Sequence, residues 1–391
     1  MMITNPIGIL TVLVVALGGI YWVSGFKKLE KFFDIFPPII WCYFIPMILS
    51  TAGILPSDTP LYKSMKEVLL PAALVLLLLS TDLPGIVRLG FIALSMMFIG
   101  TFGIILGASV STLIFKPWLP ADAWMGIGAL SGSWIGGSAN MIAIKEALGT
   151  PANIFTPMVV VDTVVGYSWM GIMIALSVHQ DKFDRWNHST RGAIDDIAKR
   201  LLVAQTQGQK QARTADLSIM LALAFGLGFL SVELGRLLPD IKGIANYFTW
   251  AIVLATTFGL LLSYTKVSKL ETVGASKFGY LMLYLMLASV GAQGDLKAVI
   301  QAPVFILLGI VWVMVHIGCL FIGARVLKAP MFFAATASMA NIGGTVTSPI
   351  IAAIYQPGLA PVGLLLAVLG QIMGTYLGIV VAYIAKWILS L

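Results

Sequence analysis

The sequence predicts an all-α protein that crosses a membrane many times and is built from two related halves, and three observations predict it. Of 391 residues, 59% are hydrophobic and only 10% charged, with a mean hydropathy of +0.96, far from the balance of a water-soluble domain. Apolar runs of about twenty residues recur along the chain, each long enough to cross a hydrocarbon core of roughly 30 Å. A Gly-Gly pair flanked by hydroxyl and asparagine residues interrupts one apolar run in each half, at Gly136-Gly137 and Gly343-Gly344.

Taken in order, hydropathy places helices at about 6–24, 37–53, 66–81, 86–115, 121–147 and 151–178. The first of these is too long for a signal-peptide core, has no cationic segment before it and no small-x-small cleavage site after it, so it reads as a retained helix. Residues 179–214 are the one long polar stretch. They read as a cytoplasmic linker with a short amphipathic helix around Ile194 to Val203, between a first membrane repeat at 1–178 and a second at 215–391. Six further helices follow at about 215–235, 244–264, 276–292, 297–327, 330–355 and 358–389.

The halves match in detail. Asp82 in Thr-Asp-Leu-Pro-Gly corresponds to Asp295 in Gly-Asp-Leu-Lys-Ala, and each precedes an unusually long helix. Some fifty residues later come the broken segments, then a Pro-flanked loop, Gly149-Thr-Pro151 or Gln356-Pro-Gly358, and one last helix. This is an internal duplication of the kind secondary transporters carry. Six full crossings per half would make the repeats parallel; five crossings plus one re-entrant hairpin would make them inverted. Hydropathy is the same either way, and the distribution of lysine and arginine does not separate the two. The hairpin form is favoured because it puts Lys27, Lys28 and Lys31, which follow the dominant first helix, on the inner side.

Several function classes drop out. The net charge of +7 comes from basic residues in short connections between apolar runs, where the positive-inside bias puts them, so no nucleic-acid partner is implied. Cys42 and Cys319 lie inside apolar runs and read as packing residues. There is no phosphate loop, no His-Glu-x-x-His and no nucleophile elbow, so neither an enzyme nor an ATP-driven pump is expected.

The breaks carry the chemistry. Non-helical backbone at bilayer depth leaves amides and carbonyls that cost several kcal/mol each unless protein, water or ligand satisfies them. Two breaks meeting near the midplane would aim half-helix N-termini at an anionic group, while freed carbonyls and side-chain oxygens hold a cation. The first break offers Ser131, Ser133, Gly136, Gly137, Ser138 and Asn140; the second offers Ser338, Asn341, Gly343, Gly344, Thr345, Thr347 and Ser348. Tight packing through small residues accounts for the glycines but not for the repeated asparagine and hydroxyl groups. Asp162, in Val-Val-Val-Asp-Thr-Val-Val, falls mid-helix after the first break, where an ionised carboxylate costs at least about 2.5 kcal/mol. It is expected to ligate sodium or carry a proton, with Thr163 beside it, and Gln371 lies at the corresponding depth in the second half. A sodium site drawing on Asn140, Asp162 and Asn341 is one expectation. Asp82 and Asp295 read first as helix caps, His316 as a hydrogen-bonded interior histidine, Lys145 and Glu146 as a pair at the interface, and Glu233, Arg236 and Asp240 as interfacial.

The run Ser131 to Met141, Ser-Gly-Ser-Trp-Ile-Gly-Gly-Ser-Ala-Asn-Met, together with Met339 to Thr345, Met-Ala-Asn-Ile-Gly-Gly-Thr, resembles a family of bacterial and plastid membrane proteins defined by domain of unknown function 819. The likeness covers nearly the whole chain. That family is grouped with the cation:proton antiporter and anion transporter superfamily, which includes the bile-acid:sodium symporters. The resemblance implies an elevator-like mechanism in which the last three segments of each half move against a scaffold made by the earlier ones, the scaffold commonly forming a homodimer. It also implies a titrating carboxylate in the helix that holds Asp162. Here there is one carboxylate rather than an adjacent pair, and no lysine faces it from the final helix, which argues against paired-acid proton antiport. The expectation is a multi-pass protein of a bacterial inner membrane that moves a small organic solute, a carboxylate, amino acid or short peptide, coupled to Na+ ahead of H+. A monovalent cation/proton antiporter using Asp162 is the alternative, with a channel or a non-transporting scaffold behind it.

Overall fold

A computed structural model describes residues 2–36, 38–79, 81–189, 194, 211–241, 246–294, 302–356 and 359–391. Its helices are α1 (Pro6–Ser24), α2 (Glu30–Ile35), α3 (Pro38–Thr51), α4 (Pro60–Leu79), α5 (Leu83–Arg88), α6 (Gly90–Phe115), α7 (Ala123–Gly136), α8 (Ser138–Leu148), α9 (Ala152–Leu176), α10 (Gln180–Asn187), α11 (Thr214–Leu237), α12 (Tyr247–Ser263), α13 (Ala275–Ala292), α14 (Ala302–Leu327), α15 (Met331–Ile342), α16 (Gly344–Tyr355) and α17 (Ala360–Ser390). Each of the twelve apolar segments is present. The α1 bounds follow from local chemistry, since Asn5 caps the amide of Ile7 and Pro6 occupies the first turn, where its missing N–H costs nothing.

Three sequence expectations need correction. Asp82 does cap a helix, accepting from the Gly85 amide at 2.9 Å. That helix is the six-residue α5, however, and Gly90 at φ +79° separates it from long α6. The polar stretch is not linker from its start, because residues 180–187 form α10; the amphipathic helix expected around 194–203 lies outside the described residues apart from 194, and Asp295 lies outside them altogether. Finally, seven helices of the described residues are long and apolar enough to cross a membrane, or eight if α12 and the 3-10 turn after it, bent by 96°, form one span. α3, with 14 residues, reaches only about 21 Å at 1.5 Å per residue.

By its contacts the chain forms two units, each drawn from both halves: residues 1–80, 146–163 and 210–302, and residues 81–145, 164–209 and 303–391. In the first unit α4 is central, with Leu70 to Leu79 buried without interruption. Three glycines, one on each neighbouring helix, let backbone approach it. A Cβ on Gly228 of α11 would lie 3.0 Å from the Ala72 amide nitrogen, one on Gly259 of α12 2.8 Å from the Val75 carbonyl oxygen, and one on Gly279 of α13 3.2 Å from the Ala73 carbonyl oxygen. This is membrane packing by small residues, where van der Waals contact replaces the hydrophobic drive.

At one end of this unit Glu146 is buried and pairs with Lys66 at 2.8 Å, whose ammonium also sits 4.6 Å from the centre of the Phe248 ring. The structure thus gives Glu146 a partner on α4, beyond the adjacent Lys145 expected from sequence. Removing one member of a desolvated pair costs more than the pair itself contributes. Lys66→Met is therefore expected to lower thermal stability by about 2 kcal/mol, discounted for the partial exposure of Lys66, and Glu146→Gln by less, because Lys66 can turn to solvent. Equal losses in melting experiments would refute the asymmetry. Of the residues expected at this helix end, Glu233 and Arg236 pair at 2.7 Å, and Arg236 also lies 3.6 Å from Glu67 of α4, a partner the sequence did not suggest. Cys42 is buried and Cys319 half-buried.

Candidate functional site: two hairpin tips

The second unit contains both Gly-Gly breaks, and its geometry decides what they are. A Cβ on Gly132 of α7 would lie 3.1 Å from the Asn140 carbonyl oxygen and would overlap the Ile144 side chain. In a straight helix residues 132 and 144 would be about 18 Å apart. α7 and α8 therefore fold back on each other. The same holds for α15 and α16, since the Ser348 hydroxyl donates to the Thr336 carbonyl at 3.1 Å across twelve residues. Both broken segments are helical hairpins.

α17 serves as the spine of the first hairpin. Gly128, Gly132 and Gly136 on α7 meet Gly378, Gly374 and Gly370 on α17 in reverse order, so those helices are antiparallel. Ile144 and Asn140 of α8 reach Gly378 and Gly374, so α8 runs back up the same glycine stripe. A four-residue glycine spacing on both helices gives the contact its shape.

The two glycines of each pair then have different work. Gly136 is a packing residue, since a Cβ there would overlap the Gly370 carbonyl oxygen and the Asn140 amide and come 2.8 Å from the Gln371 Cα; Gly343 leaves the space that the Thr347 hydroxyl fills. Gly137 and Gly344 are the tips proper. Their φ angles of +91° and +64° lie where side chains other than glycine are strained, and the tips touch, with a Cβ on Gly344 falling 3.3 Å from the Gly137 Cα.

Around the tips the two asparagines act as clamps. The Asn140 side-chain oxygen accepts from Thr375 at 2.6 Å and its amide donates to the Gln371 carbonyl at 3.2 Å, tying α8 to α17. The Asn341 oxygen accepts from Thr101 of α6 at 2.9 Å and its amide donates to the Ala337 carbonyl at 3.0 Å. Each oxygen retains a second lone pair. Ser131 is spent on its own helix, donating to the Ile127 carbonyl at 2.7 Å. The Ser133 carbonyl accepts from the Gly137 amide at 2.7 Å, closing α7. Ser138 and Thr345, the first residues beyond each tip, are partly exposed. Thr347 and Gln371 are buried, yet the Thr347 hydroxyl and the Gln371 side-chain NH2 have no hydrogen-bond partner; nor does the indole N–H of Trp134. Buried polar groups in such a state call for a ligand, an ion or water.

Ser338 lies one turn below Asn341 in a chain of bonds. His316 donates through Nδ1 to the Gly100 carbonyl at 2.9 Å, because a carbonyl can only accept. Its Nε2 is then the acceptor for the Ser338 hydroxyl at 2.9 Å, and Ser338 accepts from the Trp169 indole at 2.9 Å. His316 is fully buried and hydrogen-bonded at both nitrogens, as its isolation in an apolar helix predicts. Asp162 and Thr163 belong to the other unit. Both are half-buried on α9, and Thr163 bonds back to the Val159 carbonyl at 2.9 Å. Sequence reasoning missed Thr101, Thr375 and Trp169. A threonine in an apolar run carries no signal of its own, although the Gly370–Gly374–Gly378 spacing would have put Thr375 and Gln371 beside the interface.

The sequence model described as "Protein of unknown function (DUF819)" matches residues 11–388. The chain is also 21% identical over 362 residues, 88% of either protein, to the "Uncharacterized membrane protein YjcL" of Bacillus subtilis (strain 168). With its repeated apolar spans and paired Gly-Gly hairpins, this multi-pass membrane protein belongs to the DUF819 family.

Proposed function

We propose that the protein is a secondary transporter that moves a small organic solute bearing a carboxylate, coupled to a cation, with sodium ahead of protons. The observation that carries this reading is the backbone contact of the two hairpin tips at Gly137 and Gly344. At each tip an arriving helix leaves its last carbonyls and a departing helix its first amides. Two tips in one place supply two sets of amides for a carboxylate and two sets of carbonyls for a cation. The unpartnered Thr347 and Gln371 groups add a hydroxyl and an NH2 donor to the same set.

The partition of the chain fits an elevator. One unit takes the first three apolar segments of both halves together with residues 146–163, and the other takes both Gly-Gly tips with α6, α14, α17 and the remainder of α9, so a scaffold and a carrier would divide α9 between them. In this reading the scaffold also forms a homodimer, and the likeness to bile-acid:sodium symporters supplies the mechanism's precedent. Sodium is preferred because the tips are rich in neutral oxygens. A cation/proton antiporter is the second reading, favoured by the half-buried Asp162 in mid-α9. No covalent chemistry enters either one.

The test is thermal unfolding of the purified protein with organic acids, amino acids and short peptides, each in sodium and in choline. A ligand at about 100 times its dissociation constant stabilises by roughly 2.7 kcal/mol. A carboxylate shift that requires sodium is expected. Stabilisation by sodium alone, lost in Asp162→Asn and blind to every solute, would replace the symporter with the antiporter.

A further inference from the structure

A pocket of about 480 Å³ opens in the second unit, between the end of α9, α10, the end of α14 and the start of α15. Its size suits a ligand of low molecular weight, yet its lining is almost wholly apolar, with Trp169, Leu176, Phe183, Trp186 and Phe321 among its walls. The one hydroxyl on its floor, Ser338, is already engaged by His316 and Trp169. The interior therefore has nothing to offer a polar solute.

The mouth is different. His179 and Lys182 line it, both exposed, and the Arg325 guanidinium lies 5.0 Å from the centre of the Trp186 ring, which stacks on Phe321 at 5.3 Å. α10 is amphipathic and is pinned by its Asp184 carboxylate, which accepts the Met331 amide at 2.8 Å, and by Asn187, which donates to the Ala324 and Ala329 carbonyls at 3.0 and 2.9 Å. Both neighbouring spans, Ala152–Asn187 and Pro303–Leu327, end here. Apolar walls beneath a cationic, tryptophan-bearing rim at the ends of membrane spans match one molecule: a lipid with its tail inward and a negative headgroup at the lysine.

We infer that this pocket holds an acyl chain of an anionic phospholipid from the adjoining leaflet, with its phosphate at Lys182 and His179. The pocket shares α15 and Ser338 with the second hairpin but is not lined by the tip residues Gly137 and Gly344, and its test does not depend on transport. The full-length protein is placed in phosphatidylcholine nanodiscs containing a trace of phosphatidylglycerol with a photoreactive group near the end of one chain; a matched disc carries the same group on phosphatidylcholine. Labelling of peptides within 169–186 and 317–338 by the glycerol lipid is expected to exceed that by the choline lipid at least fivefold. Lys182→Glu, an exposed substitution with no packing to lose, should remove the excess. Ala334→Phe, which fills the pocket, should reduce labelling by both lipids. Equal labelling by the two lipids, unchanged by Lys182→Glu, would mark the pocket as ordinary boundary contact and overturn the assignment. Absence of label from these peptides would overturn it as well.

Discussion

Gly136→Ala is expected to lower the stability of the purified protein by at least about 2 kcal/mol, although it adds a single methyl group. Its Cβ would overlap the Gly370 carbonyl oxygen and the Asn140 amide and lie 2.8 Å from the Gln371 Cα. Two of these three are backbone of α17, which cannot swing aside as a side chain can, so α7 and α17 must separate. Overpacking a well-filled interior costs roughly 1–3 kcal/mol, and separation would also stretch the Asn140 bonds to Thr375 and Gln371. Gly370→Ala should behave alike, since its Cβ would overlap the Ile135 carbonyl oxygen. Gly18→Ala is the control: nothing lies within 4 Å of its Cβ, and alanine favours a helix by up to about 1 kcal/mol over glycine. Melting curves in which Gly136→Ala matched Gly18→Ala would mean that α7 and α17 are not in backbone contact.

That contrast also shows what the sequence made legible. Helix positions were readable because a twenty-residue apolar run bounded by features such as Asn5-Pro6 has few alternatives in a bilayer. The duplication was readable from the paired glycines. Whether the chain turned back at Gly137 was not, because a broken crossing and a hairpin expose the same hydropathy; the information lies in Gly132 meeting Ile144, a contact between residues that no local pattern links. The asparagines were visible, but their part as clamps depends on Thr101 and Thr375, which resemble any threonine inside an apolar helix. α10 was missed for a related reason: its charged face reads as linker, and its apolar face becomes meaningful only against Phe321 and the start of α15.

Thr347→Val and Gln371→Met are expected to make the unliganded protein more stable, by about 1 kcal/mol each, while abolishing the ligand-induced shift. Each removes a buried polar group that has no partner and replaces it with an apolar one of similar volume, relieving a desolvation cost of roughly 1–3 kcal/mol. In a binding site such a cost is tolerated, because stability is given up for function. The two variants also separate the coupled ligands. The Gln371 NH2 can only donate, so it can serve a carboxylate but not a cation; the Thr347 hydroxyl can serve either. Gln371→Met should therefore weaken the solute, whereas loss of the sodium effect in Thr347→Val alone would put the cation beside the Gly343–Thr347 turn. If instead both variants melt lower and keep the ligand shift, the two groups are structural, and the tips bind through backbone alone.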